Sequence, residues 1–189
     1  MVVELLKRMR RLPDRLLHTS RRRAALASLA ARPRPVRVLV VCNGNIFRSP
    51  FAAAVLRRTL GSPGIQVDSA GFIGPGRRAP PDAVAAATKH GIDLSTHRSQ
   101  LVTAQLVRAA DLIVVMDAIQ RRIIYERFGR ARRDVVLLGD LDPERVTSRA
   151  IEDPVEQGVD VCERVYVRIE RCAGELVRVL GRLRSERRA

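Results

Sequence analysis

The sequence predicts an α/β fold, a three-layer sandwich in which a four-stranded parallel sheet is flanked by helices. From residue 36 onward, short apolar runs rich in β-branched residues alternate with segments of helical periodicity. Such alternation predicts βαβ units, whose parallel sheet is covered by helices on both faces. The chain has 189 residues, of which 46% are hydrophobic, and this composition suits one globular domain with a sizeable core.

Each predicted element follows from a local pattern. Residues 36–41 form a continuous apolar run, as expected for a buried parallel strand. Ser49 is a suitable N-cap and Pro50 a suitable first residue for the next helix, which should end near Gly61. The last segment has apolar residues at helical spacing. These residues are Cys162, Val165, Ile169, Cys172, Leu176, Val179 and Leu183. In chain order we expect strands at 36–41, 65–69, 111–116 and 135–138, helices at 50–61, 82–90, 101–109 and 117–128, a C-terminal helix, and loops at 71–81 and 139–154.

Residues 1–35 are predicted to be a basic N-terminal extension, separate from the domain at 36–189. They contain ten basic and two acidic residues, which supply about half of the net charge of +15. Pro13 separates two short amphipathic stretches, so we expect a solvated extension that is helical or disordered. Contact of this segment with nucleic acid, an anionic membrane or an acidic partner is the less favoured alternative. The scarcity of aromatic residues argues against binding by base stacking.

Cysteine usage and hydropathy indicate a cytoplasmic protein. The chain has three cysteines, an odd number that does not suggest a disulfide framework. No apolar stretch approaches the roughly 20 residues that a membrane-spanning helix needs. The N-terminus has no signal-peptide core, because arginines interrupt its apolar residues.

A loop with a cysteine at one end and an arginine at the other follows the first predicted strand. The spacing from Cys42 to Arg48 is not diagnostic alone, because Cys162 and Cys172 also have an arginine six residues later. Only the loop at Cys42 follows a strand, contains Gly44 and two asparagines, and precedes a helix. Ligands bind beyond the carboxyl ends of strands in α/β folds, so this loop is the candidate site, and the other two cysteines are predicted to be core residues.

The loop has the features of a phosphate site. Its backbone N–H groups can turn inward around an anion, the helix that follows adds its positive end, and Arg48 can bind two phosphate oxygens. The same features favour the thiolate form of Cys42, which would attack phosphorus and form a cysteinyl-phosphate. The predicted phosphate-binding residues are Asn43, Gly44, Asn45, Ile46, Phe47, Arg48 and Ser49.

The leaving group needs a proton, and a carboxylic acid near the loop is the natural donor. Asp142 and Asp153 each precede a proline in the late loop. Asp153 is the preferred candidate because it lies just before the last helix, while Asp142 remains the alternative. No Cys or His pair has the spacing of metal ligands, so we expect neither a metal nor another cofactor.

These residues resemble the low-molecular-weight protein-tyrosine-phosphatase family, which also contains thioredoxin-type arsenate reductases. The family loop Val-Cys-x-Gly-Asn-x-Cys-Arg-Ser-Pro is similar to residues 41–50, and further motifs match at 68–71, 90–98, 111–117 and 153–154. The resemblance implies that Cys42 is the nucleophile, that Arg48 binds phosphate and that Asp153 is the general acid. It also implies that Asn45 and Ser49 shape the loop and that His97 supports it from behind. Asp117 could cap the helix that follows it.

The chain departs from the family pattern at two places. Phe47 stands where the family often has a second cysteine, and Val155 and Glu156 stand where many members have aromatic residues. The loop and the resemblance together predict a phosphomonoester hydrolase that acts on a phosphorylated protein, with phosphotyrosine as the expected group, or on a small phosphomonoester. An arsenate reductase and a non-catalytic phosphate-binding module are the alternatives.

Overall fold

The computed structural model describes residues 2–33, 35–60 and 64–185. Within them, four parallel strands form one sheet in the order β2-β1-β3-β4. The strands are β1 Arg37–Cys42, β2 Gln66–Gly71, β3 Leu112–Val115 and β4 Val135–Leu137. The helices are α1 Val2–Ala30, α2 Arg48–Leu60, α3 Pro81–Lys89, α4 Ala104–Ala109, α5 Ala118–Phe128 and α6 Val159–Ser185, with 3-10 turns at Arg132–Asp134 and Leu138–Leu141. The predicted fold class is confirmed.

The sheet separates two hydrophobic cores, because successive side chains of a strand point to opposite faces. Val38 and Val40 of β1 belong to the first core, which α1, α2, α3 and α6 complete. Leu39 and Val41 belong to the second core, which α4 and α5 complete. The continuous apolar run of β1 is thus explained by burial on both faces.

Helix α6 presents its apolar stripe to the first core. Cys162 and Cys172 are fully buried there, as predicted, and burial raises the pKa of Cys162 to about 11 and that of Cys172 to about 12. Tyr166 stacks on Phe51 of α2 with ring centroids 3.8 Å apart. Leu183, the last residue of the predicted stripe, has a side chain outside the described part of the structure.

Two predicted helix boundaries are wrong. Helix α2 begins at Arg48 rather than at Pro50, so Ser49 lies inside its first turn; the predicted end at Gly61 falls outside the described residues. The helix predicted at 101–109 begins only at Ala104, where the Thr103 side chain accepts a hydrogen bond from Leu106 N. Leu101 instead forms an isolated parallel bridge with Gly71. Gly71 is the last residue of β2, so this strand reaches into the predicted loop.

The N-terminal segment is one continuous helix, so the predicted separation at Pro13 is wrong. Leu29 of α1 is fully buried in the first core. Arg22 pairs with Glu175 of α6, and its Nε lies 3.4 Å from Leu141 O. The expected helical character is confirmed, but this part of the helix is attached to the domain rather than solvated. Among the described residues, we find no helix with the length and apolarity needed to cross a bilayer.

Candidate active site

The loop between β1 and α2 is held in a tight curve against the end of β2. Asn45 has a left-handed backbone with a φ of 52°, a conformation that asparagine tolerates better than most residues. The carbonyl of Asn43 accepts hydrogen bonds from Phe72 N at 2.7 Å and Ile73 N at 3.1 Å. A Cβ atom on Gly71 would lie only 2.6 Å from the Asn43 carbonyl oxygen, so this close approach requires glycine.

Cys42 lies at the bottom of this loop and is only 2% exposed. Its Sγ is 3.1 Å from Ser49 Oγ and accepts a hydrogen bond from Asn45 N at 3.2 Å. Because Ser49 lies in the first turn of α2, its hydroxyl reaches the sulfur instead of capping the helix. A hydroxyl, a backbone amide and the N-terminus of α2 therefore surround the sulfur.

Asn45 organises the loop through hydrogen bonds to several elements. Its amide Nδ2 donates to Ser49 Oγ and to Ser69 Oγ, both at 2.9 Å, and its Oδ1 accepts from Gln100 N at 2.9 Å. Its backbone carbonyl accepts from His97 Nε2 at 2.7 Å. The three residues expected to support the loop, Asn45, Ser49 and His97, therefore lie together around it.

His97 donates to that carbonyl from a partly buried position. Burial lowers the pKa of His97, and the charges of Arg57 and Arg98 lower it further, while the hydrogen bond to Asn45 opposes them. A carbonyl oxygen can only accept, so Nε2 carries the proton. The lowered pKa favours a neutral imidazole in this position.

Arg48 connects the loop with the segment before α6. Its side chain is almost fully buried; Nη1 donates to Ile151 O at 3.0 Å, and Nη2 pairs with Asp153. Its Nε is buried and has no hydrogen-bond partner among the described residues. The Asp153 segment is itself fixed to the end of β3 by a 2.8 Å hydrogen bond from Ile151 N to Met116 O.

The two candidate acids lie in different environments. Asp153 contacts Arg48, and its side chain is 36% exposed. Asp142 is fully buried and bonded to Arg168 at 2.9 Å and Arg171 at 2.8 Å. Burial would raise the pKa of Asp142, but hydrogen bonds from these two arginines outweigh it, so the pKa is lowered. Asp142 therefore fastens the late loop to α6, and only Asp153 lies at Arg48.

The remaining loop residues differ in burial. Gly44 and Ile46 are half-buried and Asn43 is exposed. Phe47 is buried in the first core, and its carbonyl accepts from Tyr166 Oη at 3.2 Å. The aromatic ring at position 47 thus occupies core volume and brings no thiol to Cys42.

Several residues at the site were not recognised from the sequence. Gln120 Nε2 donates to Asn43 Oδ1 at 3.2 Å, and Arg77 Nη2 donates to Gly44 O at 2.8 Å. Ser69 and Gln100, which contact Asn45, were likewise missed. A glutamine three residues after a capping aspartate was the only local signal for Gln120. Asp117 does cap α5, since its side chain accepts from Gln120 N at 2.8 Å.

In the part of the chain that the structure describes, no group of three or more His, Cys, Asp or Glu residues is arranged to hold a metal ion. The predicted absence of a metal and of another cofactor stays a prediction. The site contains a buried thiol, a guanidinium, a carboxyl group and the backbone amide of Asn45. This arrangement can bind a tetrahedral oxyanion and deliver both a nucleophile and a proton to it.

The fold and the comparisons with known proteins define a phosphatase. The family model for "low molecular weight phosphotyrosine protein phosphatase" matches residues 37–188. The chain therefore belongs to this family, which confirms both the resemblance and the prediction of a phosphatase-like enzyme. The whole of α1 precedes the matched region.

Individual relatives agree with this assignment. A probable low molecular weight protein-tyrosine-phosphatase, EpsP of Ralstonia solanacearum, is 46% identical over 134 residues, which cover 65% of this chain and 90% of EpsP. The YwlE arginine phosphatase of Geobacillus stearothermophilus has a TM-score of 0.72 at 29% identity, covering 80% of this chain and 97% of YwlE. The tyrosine phosphatase Wzb of Escherichia coli K30, in complex with sulphate, has a TM-score of 0.69 at 30% identity, covering 76% and 97%.

Proposed function

We propose that this protein hydrolyses phosphotyrosine in a phosphorylated protein through a cysteinyl-phosphate intermediate on Cys42. The observation that carries the proposal is the contact of Arg48 with Asp153 at the mouth of the Cys42 loop. This contact supports a site in which the proposed phosphate ligand and the proposed acid act together at the loop that begins with Cys42. The buried Nε of Arg48 has no partner among the described residues and is a donor available to a phosphate oxygen.

In the first step, the Cys42 thiolate attacks phosphorus while the bond from phosphorus to the tyrosyl oxygen breaks. Asp153, protonated in this step, gives its proton to the departing oxygen, so the products are the free tyrosine hydroxyl and a cysteinyl-phosphate. Arg48 and the amides stabilise the charge on the equatorial oxygens.

In the second step, the Asp153 carboxylate takes a proton from water, and the water oxygen attacks phosphorus. The S–P bond breaks and inorganic phosphate leaves. Ser49 Oγ, 3.1 Å from Sγ, donates a hydrogen bond to the departing thiolate and so stabilises it.

Burial of Cys42 favours a long phosphate ester. Since Cys42 is 2% exposed, the phosphorus must pass below the surface to reach its sulfur. The phosphate of phosphotyrosine lies farther from the peptide backbone than that of phosphoserine. Val155 and Glu156, both exposed, offer an aliphatic rather than an aromatic wall to the ring. We therefore expect weaker stacking on the substrate ring than an aromatic wall would give.

The structure gives little support to the two alternatives. An arsenate reductase needs further thiols to relay a disulfide, but Cys162 and Cys172 are fully buried with raised pKa values. A non-catalytic binding module would need no acid beside Arg48. We also propose a reducing, cytoplasmic location, which suits a nucleophile that must remain a free thiol.

The test is hydrolysis of p-nitrophenyl phosphate without metal at mildly acidic pH. We expect activity in the wild type, none in Cys42→Ser, and a loss of about 100-fold or more in Asp153→Ala. Asp142→Asn is a control that should retain the Asp153 chemistry. Inactivity of a folded wild type would overturn the proposal. Peptides with phosphotyrosine, phosphoserine or phosphoarginine then decide the substrate, and preference for phosphoarginine would replace phosphotyrosine while leaving the mechanism intact.

A further inference from the structure

A short antiparallel ribbon borders the loop from Cys42 to Arg48, called here the phosphate loop, on its β2 side. Gly76 N donates to Ser99 O at 2.7 Å, Ser99 N donates to Arg77 O at 2.9 Å, and Arg78 bridges Arg98. The ribbon touches the phosphate loop twice, through Arg77 Nη2 to Gly44 O at 2.8 Å and His97 Nε2 to Asn45 O at 2.7 Å. Arg77 and His97 thus contact the phosphate loop directly, and Arg78 and Arg98 follow them in the sequence.

Three exposed arginines, Arg77, Arg78 and Arg98, form what we call the arginine ribbon. Among the described residues, none of the three forms an ion pair, whereas Arg48 and many other arginines pair with carboxylates. The hydrogen bonds of Arg77 and Arg98 go to backbone carbonyls. Arg78 and Arg98 are directly opposite each other across the bridge, an arrangement in which like charges repel.

The charge around the active site is therefore asymmetric. β1, which ends at Cys42, lies between β2 and β3. The arginine ribbon is attached to the end of β2, since Gly71 N donates to Gln100 O at 2.9 Å. The segment with Asp153 and Glu156 is attached to the end of β3 through Ile151. A substrate entering between them meets positive charge on one side and carboxylates on the other.

We infer that the arginine ribbon is a docking surface for acidic side chains that flank the phosphorylated residue of the substrate protein. This inference rests on the proposed function and adds a substrate class to it. Carboxylates suit guanidinium groups that have no carboxylate partner among the described residues, and they relieve the repulsion between Arg78 and Arg98. Because the pairs form at an exposed rim, they act chiefly on association and KM and weaken with salt.

The experiment compares two phosphotyrosine peptides of equal length, one with Glu and Asp on both flanks and one with Gln and Asn there. In wild type at low salt, we expect kcat/KM to favour the acidic peptide by about threefold to tenfold, as for a few exposed ion pairs. In the double variant Arg78→Glu, Arg98→Glu, the ratio should fall to one or below. The ratio cancels any change that these substitutions make to the phosphate loop itself.

The matched control is Arg108→Glu, Arg127→Glu, which changes the net charge equally. Both residues are exposed, and each lies in the last turn of its helix, before β3 or β4 begins. They thus lie near the amino ends of the strands, whereas Cys42 lies at the carboxyl end of β1. This variant should therefore keep the wild-type ratio. A wild-type ratio of one, or an equal loss in both double variants, would overturn the inference. Failure of both peptides and of p-nitrophenyl phosphate would count against the proposed function instead.

Discussion

At the scale of the residue, Asn45 connects the active-site loop to several surrounding segments. Four hydrogen bonds fix its side chain and carbonyl to Ser49, Ser69, His97 and Gln100. Each such bond contributes about 1 kcal/mol, enough together to hold the left-handed backbone in place. The loop is therefore shaped by the protein before any phosphate arrives, which is the condition for electrostatic catalysis without reorganisation.

The protonation of His97 gives a prediction about pH. Because burial and nearby arginines lower its pKa below the ordinary value of about 6.5, the unfolded chain binds more protons between the two values. The free energy of unfolding should therefore fall as the pH drops from about 6.5 through the folded-state pKa. Urea unfolding at pH 7.5 and 5.5 should show a smaller loss in His97→Gln than in wild type. An NMR titration of His97 at or above 6.5 would contradict the assignment.

Oxidation of Cys42 gives a second prediction. Phe47 fills core volume beside the loop, and Cys162 and Cys172 are buried in the first core, so none of these residues supplies a rescuing thiol. We expect strong peroxide to drive Cys42 past the sulfenic state, with activity that dithiothreitol does not restore. Mass spectrometry should find sulfinic or sulfonic acid at Cys42. Full recovery of activity with dithiothreitol would refute this.

Arg77 gives a third prediction, since it connects the β2–α3 loop with the phosphate loop. It donates to Gly44 O at 2.8 Å and to Ile73 O at 2.9 Å. Replacing it with alanine should loosen the loop and lower kcat/KM for p-nitrophenyl phosphate by about tenfold, as expected for loss of one or two bonds. Arg77→Lys should recover only part of this, because a lysine cannot reproduce the planar fork. Unchanged kinetics in Arg77→Ala would show that the loop needs no such clamp.

At the scale of the element, α6 contacts the phosphate loop through Tyr166. Tyr166 stacks on Phe51 and donates from Oη to Phe47 O at 3.2 Å. Tyr166→Phe keeps the stack but leaves a buried carbonyl unpaired, which should reduce the free energy of unfolding by about 1–3 kcal/mol. Denaturant unfolding measures this, with Tyr125→Phe as the control, because the long 3.5 Å bond of Tyr125 is exposed. Equal effects in the two variants would argue against the support role.

The elements also show what local sequence can predict. The four strands and the helix after Asp117 followed from apolar runs and capping residues, which are local patterns. The starts of α2 and α4 did not, because they depend on tertiary contacts: Ser49 reaches Cys42, and Leu101 bridges Gly71. In the same way, the sequence motif at 41–50 located the phosphate loop. The contacts of Gln120 and Arg77 with this loop join segments that are distant in the sequence, so no local pattern could predict them.

At the scale of the whole molecule, the strand order determines where the site assembles. With β1 between β2 and β3, the loop after β1 receives hydrogen bonds from the residues that follow both neighbours. Asn43 shows this directly, since its carbonyl accepts from Phe72 after β2 and its side chain from Gln120 after β3. After β1 the chain forms β2 on one side of it and then β3 on the other side. In open α/β sheets a binding crevice forms where the strand order reverses in this way.

The place of α1 in the molecule gives the last prediction. The whole of this helix precedes the region matched by the family model, yet Leu29 is fully buried in the first core. We propose that α1 and the domain unfold together. Leu29→Ala should then reduce the free energy of unfolding by about 2–5 kcal/mol, the cost of a cavity in a packed core.

The same helix offers a matched control for that prediction. Leu16 is 73% exposed, so Leu16→Ala should change stability by no more than about 0.5 kcal/mol. Both variants should retain kcat at a temperature where they are folded, because α1 packs on α6 and the 3-10 turn Leu138–Leu141 rather than on the phosphate loop. If Leu29→Ala changed the free energy of unfolding as little as Leu16→Ala, α1 would not be part of the cooperatively folded domain. If Leu29→Ala alone lowers a single cooperative transition, the folded unit begins well before β1, and the basic segment is structural whatever else it binds.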